Sequence, residues 1–252
     1  MAHTMENEST AAQTVIEELP LEQAVHSQCM EVLERAAHNP ALTEDLALTL
    51  LKHPDLPATV IEALSKNVAL LKQRKMRLGV VMHPRTPRHM SIPILRQLYT
   101  FDLMHVTLTP IVPADVKKAA EEALVTRMAM VSLGEKLSLA RRASGRIAER
   151  LLLEKEPRIM ETALENSRLT ESSIVKVLMR TEASAMLVHA VSHHPKWSQR
   201  REVRIALLRN EKTPLAKALE FAQPLSLTML REILKTSRLP ASVKECLLES
   251  KA

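Results

Sequence analysis

A short pattern of apolar and polar positions recurs along the chain. It opens with an apolar residue or Thr, continues with Pro or Thr, and then runs into a brief apolar helix. The copies begin at Leu42, Leu56, Thr86, Val112, Leu169, Thr213 and Leu239. The ninth position of every copy is apolar: Leu50, Leu64, Ile94, Ala120, Val177, Phe221 and Leu247. Self-similarity of this kind predicts stacked helical repeats. Thr43 suits a helix N-cap, its hydroxyl accepting from an exposed backbone N–H. Pro57 suits the first helical position, where its missing N–H costs nothing and its φ is preset. Thr170 followed by Glu171 repeats the capping solution, with the acid near the positive end of the helix dipole.

The copies start 14, 30, 26, 57, 44 and 26 residues apart. These distances cluster around multiples of about 14, one short helix plus its turn. Further helices are predicted over 68–82, 94–108, 124–142, 147–153, 183–192 and 203–208. An opening helix or two is predicted over 15–37, broken near Pro20 and closed at Asn39-Pro40, because the residue before a proline is pushed out of the helical region. The repeat unit is then an antiparallel helical pair of roughly 28 residues, which must stack on its neighbours to bury its apolar face. In the Thr213 copy, Lys217 falls where five of the other six copies carry Leu, Val or Met, and a slip of one residue to Ala218 restores the stripe. The expected organisation is a polar, disordered tail at 1–12 and one continuous all-α domain of about eight helical pairs over 13–252.

Composition agrees with helices. Apolar residues make up 46% of the chain and aromatics only 2%, so the core must be Leu, Ala, Val, Ile and Met. Gly79, Gly134 and Gly145 are the three glycines, which argues against Gly-rich phosphate loops and Asn-Gly hairpins. Cys29 and Cys246 lie near opposite ends, which argues against a disulfide framework and for a reducing, cytoplasmic setting. Neither a signal peptide nor a membrane span is expected.

Charge is segregated. Residues 1–70 hold 3 Lys and Arg against 11 Asp and Glu, whereas the rest hold 32 against 18. The expected layout is an acidic 13–70 and a basic 71–252, an asymmetry that bears on partners rather than on fold. Residues 71–100 contain Lys72, Arg74, Lys75, Arg77, Arg85, Arg88 and Arg96 and no acid.

The turns Asn39-Pro40-Ala41-Leu42-Thr43, His53-Pro54-Asp55-Leu56-Pro57 and His83-Pro84-Arg85-Thr86-Pro87 resemble those of bacterial leucine-rich-repeat variants and HEAT-like repeats. The segment from Gly134 to Pro240 is similar to HEAT-like bacterial proteins of uncharacterised function. It includes Leu164-Glu165-Asn166-Ser167-Arg168-Leu169-Thr170-Glu171 and Ala206-Leu207-Leu208-Arg209-Asn210-Glu211-Lys212-Thr213-Pro214. The similarity covers most of 37–248, through structural punctuation. It implies a right-handed α-solenoid used for binding and carries over no catalytic residue. HEAT-like DNA glycosylases supply the enzymatic alternative, since they bind DNA on a basic concave face with aromatics and an acid. Here no Asp accompanies Trp197.

Three basic segments are candidate anion or nucleic-acid contacts. Lys72, Arg74, Lys75 and Arg77 are expected to share one side of a helix, with Arg85 and Arg88 in the turn at its end. Neutralised phosphates would release counterions and make binding salt-sensitive. The alternative is a solvated face, or a match to the acidic N-terminal region. Arg142, Arg146 and Arg150 fall at intervals of four, a helical spacing that makes an Arg ridge about two turns long, or else partners for Glu135, Glu149 and Glu154. Lys196, Trp197, Arg200, Arg201 and Arg204 place the only Trp among cations. A base could stack there, or Trp197 fills a gap between repeats. The His-Pro pairs at 53, 83 and 194 are expected to close turns, as no metal-ligand spacing occurs. Arg141-Arg142-Ala143-Ser144 has the form of a basophilic phosphorylation site. The function expected is a non-catalytic scaffold, without cofactor or metal, whose basic surface holds an acidic protein or peptide, or DNA or RNA.

Overall fold

Every regular element among the described residues, 19–251, is helical in this computed structural model: 18 α-helices and one 3₁₀ turn, with no strand. The tail expected at 1–12 and the start of the opening helix at 15–18 lie outside the described residues. No helix among the described residues is long and apolar enough to cross a membrane. The chain divides into two compact units, the first ending at Ala123 and the second beginning at Leu124.

The first unit contains α1 (Leu21–Ala24), α2 (Met30–His38), α3 (Glu44–Leu50), α4 (Ala58–Lys66), α5 (Val68–Lys72), α6 (Arg74–Met82), α7 (Arg88–Leu95) and α8 (Thr100–Leu108). The boundary falls within α9 (Ala114–Arg127). The second unit continues with a 3₁₀ turn (Met128–Met130), α10 (Leu133–Arg142), α11 (Gly145–Leu151), α12 (Pro157–Leu164), α13 (Glu171–Leu178) and α14 (Ala185–His193). It ends with α15 (Arg201–Arg209), α16 (Leu215–Ala222), α17 (Leu227–Lys235) and α18 (Ala241–Glu249). In the second unit helices pack on the one two places ahead: α10 on α12, α12 on α14, α11 on α13, α13 on α15, α15 on α17 and α16 on α18. In the first unit α2 packs on α4 and α6 on α8 in the same way.

The repeated phrase accounts for the helix starts, with one correction. Pro57, Pro87, Pro214 and Pro240 are N-caps rather than first helical residues, with φ between −54° and −60° and ψ between 140° and 148°. The ring-fixed φ serves an extended cap as well as a helix, and each proline carbonyl accepts the first helical bond, as from Ile61 to Pro57 at 3.3 Å and from Ala218 to Pro214 at 2.9 Å. Thr170 caps α13 by accepting from the Ser173 N–H at 3.2 Å, whereas the Thr43 side chain makes no cap bond. All seven ninth-position residues are buried, and Ala218 rather than Lys217 points inward.

Three of the long helices expected from sequence are broken. The 68–82 segment divides at Gln73, where ψ is 130°. The 94–108 segment is interrupted between Leu95 and Thr100, just after Pro93, which donates no N–H. The 124–142 segment breaks at Val131 and restarts at Ser132, whose hydroxyl and backbone N–H exchange hydrogen bonds with Glu135 in a capping box.

A ladder of turn side chains reaches back to earlier backbone carbonyls. The last carbonyls of an α-helix have no partner within it. Here a side chain from the turn about one pair later supplies the donor. Asn166 Nδ2 donates to Ala140 and Ala143 at the end of α10 (2.8 and 3.2 Å), and Asn210 Nδ2 donates to Leu178 at the end of α13 (2.6 Å). Ser237 Oγ donates to Leu208 (2.7 Å). His53 Nε2 reaches the Val25 carbonyl (2.8 Å), and His83 Nε2 reaches that of His53 (2.9 Å). Most of these residues also close their own turn by accepting the N–H two residues on: Arg85 onto His83, Arg168 onto Asn166, Lys212 onto Asn210 and Leu239 onto Ser237.

His83 is 4% exposed, with Nδ1 accepting and Nε2 donating, so the network requires the neutral imidazole with its proton on Nε2. Burial holds its pKa below the ordinary value, against the raising effect of the His53 carbonyl, and the Arg85 charge lowers it further. The unfolded chain therefore binds a proton that the folded chain refuses. Stability is fully present above the ordinary pKa of about 6.5 and is lost as pH falls below it, until the folded pKa is passed. Thermal unfolding between pH 8 and 5 should show this decline, and His83→Asn, the residue used at 166 and 210, should flatten it. Asn210→Ala should lose about 1–3 kcal/mol in urea unfolding, because Asn210 is 2% exposed and its partners become orphans. A Cβ at Gly145 would lie 2.5 Å from the Arg168 carbonyl oxygen, whereas one at Gly134 meets nothing within 4 Å. Gly145→Ala should therefore lower the melting temperature, whereas Gly134→Ala should leave it unchanged or raise it, with a gain in unfolding free energy of up to about 1 kcal/mol.

Candidate functional site

The basic run of the first unit is distributed over two helices and a turn. Lys72 ends α5 and Arg74 begins α6, so the extended Gln73 between them takes Lys72 off the helix that carries Lys75 and Arg77. This corrects the expectation of one shared helix side. Arg74 grips Asp102 of α8 with two hydrogen bonds, Nε to Oδ2 at 2.9 Å and Nη2 to Oδ1 at 2.8 Å. Asp102 is 4% exposed, and its hydrogen bond, followed by its charge, raises the Arg74 pKa above the ordinary value. The same guanidinium lies 5.3 Å from the centre of the Tyr99 ring. Arg85 donates to the Asp55 carboxylate at 2.7 Å and to its carbonyl at 3.1 Å, and Arg88 stands 3.7 Å from Asp115. The Arg85–Asp55 pair is a local match between the basic run and the acidic N-terminal region. Arg77 is half-buried, with a buried Nε that has no hydrogen-bond partner. Lys72 and Lys75 are exposed, and neither has a side-chain partner among the described residues.

The Arg ridge of the second unit does not lie on one helix. Arg142 is the last residue of α10, whereas Arg146 and Arg150 belong to α11. Between them Ala143 is extended, with ψ at 175°, which turns the chain and breaks the interval of four. Glu154 pairs with Lys136 at 3.0 Å, and Glu149 with Arg180 at 3.5 Å. Arg142, Arg146 and Arg150 are all exposed.

Trp197 is an interior residue. It is 2% exposed, its indole N–H donates to the Leu164 carbonyl at 2.9 Å, and Lys196 Nζ covers its ring at 4.0 Å. No face is open for a base. Trp197 does at this turn what Asn166 and Asn210 do at theirs, and His194, relieved of that task, reaches Glu165 at 3.0 Å. Arg204 donates to the Ser198 carbonyl and Gln199 side chain (2.6 and 2.9 Å) and lies 5.6 Å from the Phe221 ring. Arg201 contacts the Met229 sulfur at 3.7 Å, while Arg200, the N-cap of α15, is exposed.

Two groupings escaped sequence reasoning. Arg74, Tyr99 and Asp102 form one cluster. Its sequence signal was the 28-residue interval between Arg74 and Asp102, about one repeat length, which places an acid opposite an arginine. Arg141, Glu161, Glu165, His193 and His194 line a cavity of about 420 Å³. No group of three His, Cys, Asp or Glu among the described residues is placed to hold a metal ion.

Because Trp197 is both packed and hydrogen-bonded, Trp197→Ala should destabilise the chain by about 3–5 kcal/mol in urea unfolding. Trp197→Phe should lose less, about 1–3 kcal/mol from the orphaned Leu164 carbonyl. The chain matches no protein-family model, no curated protein and no solved structure, so its function is read from its own residues.

Proposed function

We propose that this protein is a non-catalytic binding scaffold, a right-handed α-solenoid of HEAT-like helical pairs, whose basic surface holds an anionic partner. The packing of helices on the one two places ahead, within each unit, supports the stacked-pair reading. The single observation that carries the binding reading is the division of the cations into two classes. Arg74, Arg85, Arg88 and Arg204 are engaged within the fold. Lys72, Lys75, Arg142, Arg150 and Arg200 are exposed without side-chain partners among the described residues. Cations of the second class are available to phosphates or carboxylates at no structural cost.

Charge reversal should therefore be made at Lys72, Lys75, Arg142, Arg150 and Arg200, leaving the structural arginines intact. Binding of a labelled oligonucleotide or a polyglutamate peptide, read by fluorescence anisotropy, should weaken steeply with salt in the unaltered protein. The reversed variant should lose that binding while keeping its melting temperature. If neither probe binds at low salt, or if the variant binds equally well, the anionic-partner reading fails.

A further inference from the structure

We infer that the Arg74–Tyr99 cluster is a stacking site for an unpaired base of single-stranded nucleic acid. The inference rests on the anionic-partner reading above and narrows it to one class. The chain has only four Phe, Tyr and Trp residues. Two of them, Trp197 and Phe221, are 2% and 1% exposed. The other two, Tyr99 and Phe101, are 60% and 41% exposed and lie two residues apart where α8 begins. A chain this poor in aromatics leaves both of its exposed ones at one helix start, next to the run of 71–100 that holds no acid.

The cluster is prearranged. Asp102 is buried and fixes the Arg74 guanidinium through two parallel hydrogen bonds, so the arginine cannot swing away from the Tyr99 ring. The guanidinium stands over the Tyr99 ring, 5.3 Å from its centre, and the ring is still 60% exposed, which leaves aromatic surface of the kind on which bases stack irrespective of sequence. Because the Arg74 charge is already met by Asp102, a carboxylate from a peptide would have to compete with a bidentate bond, whereas a base need only cover the π surface. The phosphates of a strand require separate cations. Lys72 and Lys75, two residues before Arg74 and one after it, are exposed and unpartnered among the described residues. A duplex keeps its bases stacked and cannot use such a platform, so the surface favours single strands.

The test is fluorescence anisotropy of the full chain with a labelled twelve-residue oligothymidylate, the same strand with abasic sites, a duplex of equal length, and polyglutamate. The oligothymidylate should bind more tightly than the duplex. Tyr99→Ala should weaken it roughly 5- to 100-fold, the range for loss of one base stack. Tyr99→Phe should retain it, and the abasic strand should bind both the unaltered protein and Tyr99→Ala with the same low affinity. The melting temperature of each variant confirms folding, since Tyr99 is exposed. If oligothymidylate binding survives Tyr99→Ala but is lost on Lys72→Glu with Lys75→Glu, the stacking site is overturned and the basic scaffold stands. If only polyglutamate binds, or the duplex binds as well as the single strand, the nucleic-acid inference is overturned and the anionic-partner reading stands. If no probe binds, both fall.

Discussion

The unpaired carbonyls at helix C-termini are the constraint on which this structure turns. Most of its helices run seven to nine residues, so a large fraction of their backbone lies in first and last turns, where internal hydrogen bonds are missing. Burying such helices against one another is costly unless those groups find partners. The ladder of His53, His83, Asn166, Trp197, Asn210 and Ser237 provides donors, each reaching back to a helix end, or for His83 to the turn beyond one, 28 to 33 residues earlier, or 23 and 26 residues for the two carbonyls that Asn166 contacts. His83, Asn166, Asn210 and Ser237 also set their own turns, so one side chain fixes both the local chain reversal and the contact with an earlier segment. Apolar packing supplies the bulk of the stabilisation, but it is non-directional. The ladder adds direction to the contacts between these segments.

This division of labour explains why such different residues occupy equivalent turns. Asn, His and Ser each combine a donor with an acceptor. Trp has only a donor, and at its turn His194 takes over the acceptor role toward the Lys196 N–H. His83 adds a consequence the others lack, because the proton-free nitrogen it needs for its turn is available only in the neutral imidazole. Part of the fold is thereby tied to pH.

The arginines are sorted by the same logic. Arg85 reaches Asp55, 30 residues away, and Arg74 reaches Asp102, 28 residues away, so both tie together segments distant in sequence. Their side chains bear the fold's own electrostatics, and the charge open to a partner lies mainly on neighbours such as Lys72 and Lys75. At Arg74 the two roles meet: a structural bridge also leaves an aromatic ring and a planar cation at the surface.

What was legible in the chain followed from local rules. Helix starts at Thr and Pro, the buried ninth position, and the slip to Ala218 all depend on residues within a few positions of one another. The His-Pro turns were legible as turns for the same reason. The breaks at Gln73 and Val131 were not, because nothing at those positions forbids a helix. Tertiary structure also decided the fate of each charged or aromatic side chain. Trp197 directly follows Lys196 and Tyr99 stands three residues after Arg96, yet the first is buried with its N–H on Leu164 and the second is open beside Arg74. That difference depends on what stands one repeat away, about 30 residues along the chain, and a periodicity read along a single helix carries no information about it.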